Sequence, residues 1–141
     1  MPRYWLCILT PENYEVVKEK LVWGVTDRHR KKLLQVKKGD KLVMYVIREK
    51  KIKGIFEAVS DPYVDEKEIF SGGVYPNRVK LKPVKLSDDG VDILELVPKL
   101  DVFKRKDNKW VGTIVGKAMV ELSEKDYKMI EERLTRSEET R

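Results

Sequence analysis

The chain has 141 residues, one cysteine (Cys7), one histidine (His29), 30 Lys+Arg against 24 Asp+Glu, and a formal charge of +6. A hydrophobic content of 41% suffices for the core of a single domain. The lone cysteine and lone histidine exclude a disulfide framework and the common metal sites built on several such ligands. No apolar run approaches the roughly 20 residues that cross a bilayer. The stretch from Met1 to Trp5 carries no signal-peptide core, so a cytoplasmic protein without membrane contact is expected.

From the N-terminus, Tyr4 to Leu9 (YWLCIL) reads as a buried strand. Thr10-Pro11 supplies a helix N-cap and a proline at the first helical position. The helix runs to about Lys20, with Tyr14, Val17 and Leu21 on one face. Val22-Trp23-Gly24-Val25 reads as a break. Thr26 or Asp27 then caps a second, basic helix ending near Val36, with Leu33 and Leu34 turned inward. Lys38-Gly39-Asp40 is a turn, and Lys41 to Ile47 is a strand covered on both faces. After a turn at Glu49-Lys50-Lys51, Ile52 to Val59 is another strand, in which Gly54 marks a bulge or a close backbone approach.

A long connection from Asp61 to Gly73 precedes the alternating strand Val79 to Leu86, where Pro83 implies an edge or a bend. Val91 to Val97 suits a short helix, Asn108 to Gly112 an irregular stretch, and Ala118 to Leu122 a strand. A last helix opens at Ser123 and runs through Leu134, with Tyr127, Ile130 and Leu134 on its apolar face; Thr135 to Arg141 is expected to be a flexible tail. These elements make one mixed α+β domain over residues 1–134, a curved sheet or small barrel with flanking short helices.

Charge is concentrated. Between Arg28 and Lys53 eleven bases face two acids, a net +9, and the 19 bases and 22 acids elsewhere leave −3. Such a segment is the electrostatic footprint of a phosphate-backbone binder, although a solvated helix face gives the same count. Catalysis finds no support: the phosphate-cradle, dinucleotide and nucleophile-elbow motifs are absent, and Cys7 lies in an apolar strand pattern. Acidic pairs such as Asp88-Asp89 are adjacent in a turn or on a helix surface and are given no acid–base role. No catalytic residue, metal or cofactor is expected.

Most aromatics belong to strands or helix faces, but Trp23, Phe70 and Tyr75 lie in apparent connections, two of them around Gly72-Gly73. Rings on loops beside a basic segment are what base recognition in RNA or single-stranded DNA uses, since an unstacked base regains stacking on them. The alternative is that they plug the ends of a barrel.

The order of Tyr4-Trp5-Leu6, Val22-Trp23-Gly24-Val25-Thr26, Lys38-Gly39-Asp40-Lys41-Leu42-Val43-Met44-Tyr45, Ile52-Lys53-Gly54-Ile55 and Glu121-Leu122-Ser123-Glu124-Lys125-Asp126-Tyr127 resembles the EVE domain family, in particular its small standalone archaeal members. EVE domains are similar to YTH domains, and both are PUA-like. The resemblance implies a PUA-like open β-barrel of five or six strands and a pocket for a modified base. Trp23 matches a cage tryptophan of the YTH relatives, Phe70 and Tyr75 reproduce the spacing of two further cage aromatics, and Asn13 stands at the offset of a base-reading asparagine. Gly24-Val25 departs from the Ser-Thr pair of those relatives, which leaves bases other than methyladenine open, 5-methylcytosine among them. The expected arrangement has Trp23, Phe70, Tyr75, Gly24, Val25, Thr26 and Asn13 around the base, and Arg28, Arg30, Lys31 and Lys32 on the phosphates. The expected partner is nucleic acid, RNA or modified DNA, bound by a monomer; a general RNA-binding module and a sensor of small ligands or nucleosides are the alternatives.

Overall fold

The computed structural model describes residues 1–139. Seven strands and four helices follow in the order β1 (Tyr4–Leu9), α1 (Pro11–Lys20), β2 (Val22–Val25), α2 (Arg30–Leu33), β3 (Lys41–Val46), β4 (Lys51–Ala58), β5 (Tyr63–Val64), β6 (Asn77–Asp92), α3 (Ile93–Leu96), β7 (Met119–Leu122) and α4 (Glu124–Glu139). They form one sheet in the order β2-β6-β4-β3-β1-β7, with β5 on β6. The sheet is an open half-barrel, in line with the expected class. β1 and β3 run parallel, whereas the other pairs are antiparallel.

Strand alternation sorts the side chains into two cores. Trp5, Cys7 and Leu9 of β1 join Leu42, Met44 and Val46 of β3 inside the curve, where α1 and α2 cover them with Tyr14, Val17 and Leu33. The intervening Leu6, Val43 and Tyr45 face the other way and pack under Ile130 and Leu134 of α4. Both faces of β3 are therefore buried, as its unbroken apolar run requires. Opposite Met44 and Tyr45 the β3–β4 register shifts, so Ile52 and Ile55 share a face despite their odd spacing.

Several expectations are corrected. Val22–Val25 is a strand, not a break: its β-branched and aromatic residues find an open edge on β6, with Trp23 opposite Val79. The expected basic helix is a 3₁₀ turn at Asp27–His29 followed by the single α turn of α2. The bonds Gln35 N–H to Lys32 O (3.1 Å) and Val36 N–H to Leu33 O (2.9 Å) tighten the chain off the helical path as Val36 is drawn into the core, and Leu34 is left half exposed. The strand expected at Val79–Leu86 spans Asn77–Asp92. Pro83 pairs with Phe56 next to a register shift, on the part of β6 beyond the reach of β2, where a missing N–H is tolerated. Val91 and Asp92 consequently belong to β6 rather than to the short helix. The last helix continues past Leu134 to Glu139, so the first five residues of the expected tail are helical; residues 140 and 141 lie outside the described residues.

Candidate functional site

A cavity of about 660 Å³ opens at the C-terminal ends of the parallel strands β1 and β3. Trp23 and Val25 enter its wall from β2, Asn13 from α1, Phe70 and Tyr75 from the loop after β5, and Trp110 and Ile114 from the segment before β7. The wall is mainly apolar with few polar groups, the character of a ligand cleft.

The three rings singled out in the sequence meet here. Phe70 and Tyr75 pack edge to face with centroids 5.5 Å apart, and Phe70 also leans on the core cluster that contains Trp23. Trp23 is only 4% exposed, and its Nε1 is the one buried side-chain polar atom without a hydrogen-bond partner among the described residues. Gly24 is required between them: a Cβ there would stand 2.8 Å from Phe70 Cε2 and 2.9 Å from Tyr75 O.

The loop that carries Phe70 and Tyr75 is fastened from below. Arg78 is 1% exposed and donates to the carbonyl oxygens of Val74 (2.8 Å), Tyr75 (2.9 Å) and Lys67, while its guanidinium lies 5.4 Å from the Phe70 ring centroid. Asp65 stands 3.6 Å away as counter-charge. Asn13 is buried and binds Ser71 through both ends of its amide, so it fixes the loop as well as lining the cavity. Thr10 makes this placement possible by capping α1 with its hydroxyl on Asn13 N–H at 3.1 Å.

The cations at the cavity differ from those singled out in the sequence. Arg28, Arg30, Lys31 and Lys32 are exposed and none lines it, whereas His29, Arg48, Lys50 and Lys117 do. Half-buried His29 has its pKa lowered, first by burial and then by Arg28. Arg48 pairs with Glu12 through two contacts of 2.7 and 2.8 Å. No group of side chains suited to a metal ion occurs among the described residues. Cys7 is fully buried, and burial pushes its thiol well above the usual range, which leaves it unreactive.

The EVE domain family model matches residues 3–133. The chain belongs to the EVE domain family. A UPF0310 protein of Pyrococcus abyssi is 49% identical over 140 residues, covering 91% of this chain and 96% of its own. Among solved structures, the YTH domain of Mmi1 in complex with RNA is similar with a TM-score of 0.73 at 12% identity, covering 99% of this chain and 81% of that one. The YTH domain of the Zygosaccharomyces rouxii MRB1 protein, in complex with N6-methyladenosine RNA, gives 0.69 at 15% identity over 94% of this chain and 86% of that one. These two likenesses establish the fold that this EVE domain shares with YTH domains.

Sequence reasoning about this EVE domain missed Arg78, Arg48, Lys50, Lys117 and Trp110. Arg48 and Lys50 had a detectable signal, a tight connection between two strong strands with no glycine or asparagine at its bend. Arg78 had none, because a buried arginine looks like any surface base until the loop above it is in place.

Proposed function

We propose that this EVE domain is a non-catalytic nucleic-acid-binding module that takes a modified base, flipped or single-stranded, into the cavity between Trp23, Phe70 and Tyr75. One observation carries the reading: rings from β2 and from a loop some fifty residues later line a single cavity rather than separate parts of the interior. A base lifted out of its stack regains about 1–3 kcal/mol on such rings. A methyl group on that base adds about 0.8 kcal/mol when withdrawn from water, a several-fold preference over the plain base. The backbone of Gly24 and Val25 and the hydroxyl of Thr26 are the donors and acceptors for the base edge. Asn13 acts through Ser71, and Arg28, Arg30, Lys31 and Lys32 attract the phosphates that lead to the cavity. The RNA present with two structurally similar YTH domains supports the ligand class.

The test compares matched oligonucleotides with and without 5-methylcytosine or N6-methyladenosine, after mass spectrometry of nucleosides retained from cellular nucleic acid has ranked the modifications. Trp23→Ala is expected to abolish the preference while leaving salt-dependent binding in place. An unchanged preference in that variant refutes the reading. Free nucleosides binding as tightly as oligonucleotides would favour a small-ligand sensor instead.

A further inference from the structure

Four non-glycine residues among those described have a left-handed backbone: Leu21 (φ 56°), Arg48 (φ 70°), Lys50 (φ 57°) and Tyr75 (φ 50°). Leu21 ends α1, an ordinary place for that conformation. The other three line the cavity. Left-handed backbone in a residue with a Cβ is unfavourable, and such residues gather where the surroundings hold them for a purpose. Arg48 and Lys50 stand in the β3–β4 turn, where glycine or asparagine would fit without strain. The turn instead presents two long cations at the cavity. Its conformation is set by neighbours: Ile47 N–H donates to Leu9 O and Ile93 N–H to Lys50 O, both at 2.9 Å.

Resting on the base-binding reading above, we propose that the β3–β4 turn is a phosphate grip, in which Arg48 and Lys50 hold the backbone of the strand whose base enters the cavity. Arg48 is 61% exposed, and its Nη2 lies 2.7 and 2.8 Å from the two oxygens of the Glu12 carboxylate, a contact to paired anionic oxygens that a phosphate also offers. Glu12, itself half exposed, stands in for the phosphate in the free protein and is displaced by it. No acidic side chain pairs with Lys50 among the described residues, so its ammonium is free to bind. Because the grip and the cavity adjoin, the site selects a nucleotide within a strand over a free nucleoside.

The experiment measures binding of short fluorescein-labelled oligouridine and oligothymidine against salt concentration, together with urea denaturation. The double variant Arg48→Gly/Lys50→Gly is expected to lose affinity and to lower the salt slope by roughly 1.4, the loss of two contacts on a single strand. Its denaturation midpoint is expected to stay or rise, since glycine relieves the two strained positions. Glu12→Gln, which frees Arg48, is expected to tighten binding several-fold. An unchanged slope in the double variant, or no binding of either oligonucleotide at low salt, overturns the proposal. The cavity reading fails separately: Trp23→Ala leaves the modified-over-plain preference intact in that case, whatever the turn does to the slope.

Discussion

Asn13 and Ser71, 58 residues apart, exchange two hydrogen bonds: the Asn13 amide donates to Ser71 O at 3.0 Å, and Ser71 N–H donates to Asn13 Oδ1 at 2.7 Å. The pair joins α1 to the loop that bears Phe70. Replacing Asn13 with Ala leaves both Ser71 backbone groups without that partner, at a cost of about 2 kcal/mol. Chemical denaturation checks the cost. The modified-over-plain preference is expected to fall with it, because Phe70 loses its anchor.

Gly24→Ala acts on the same loop from the other side. The added methyl meets Phe70 Cε2 and the Tyr75 carbonyl below 3.0 Å, and backbone cannot swing away as a flexible side chain can. A destabilisation of about 1–3 kcal/mol is expected from the overpacking. Comparison with Gly39→Ala, where a Cβ meets nothing within 4 Å but φ is +93°, separates steric conflict from backbone strain. Both variants should unfold earlier, but only Gly24→Ala should alter base preference.

Asp40 is 2% exposed and accepts three hydrogen bonds, from Trp5 Nε1 at 3.1 Å and from the backbone of Arg3 and Lys37 at 3.0 Å each. Asp40→Ala strands three donors at the start of β3. A loss of about 3 kcal/mol or more is expected in urea denaturation, and Asp40→Asn, which keeps one acceptor oxygen, is expected to cost less.

Alkaline pH tests the burial of the phenols. Tyr14, Tyr45, Tyr63 and Tyr127 all have their pKa raised, burial being the largest cause in each, with Glu131 adding to it at Tyr127. The unfolded chain releases these protons near pH 10, before the folded one does. Stability is thus intact below about pH 10 and is lost as pH rises from there toward the folded values. Tyrosinate absorbance should lag behind the content of six tyrosines until unfolding exposes the rest. All six ionising together near pH 10 in the folded protein contradicts this.

The strands were legible wherever periodicity and β-branched residues coincided, as in Tyr4–Leu9 and Lys41–Val46. Trp23 lies between two helical patterns in the sequence but stands in a four-residue strand of the structure: too short for a period, that strand exists only because β6 offers an edge. The meeting of Trp23, Phe70 and Tyr75 was inferable from ring placement and from the family resemblance. The residues that hold them were not. Ser71 acts through a partner 58 residues away, and although the carbonyls bound by Arg78 lie only 3 to 11 residues before it, no sequence pattern announces a guanidinium bound to three of them.

That guanidinium has a consequence for how the domain can diversify. One planar group with fixed N–H directions reaches back to residues 67, 74 and 75 at once, so the number of residues between Lys67 and Tyr75 is effectively set. Insertions there would unseat the arginine and leave a buried cation without acceptors. Variation in the ligand must therefore arise by exchanging side chains on a loop of constant length, and by changes across the cavity around Val111 and Val115, whose exposed tips carry no such tether.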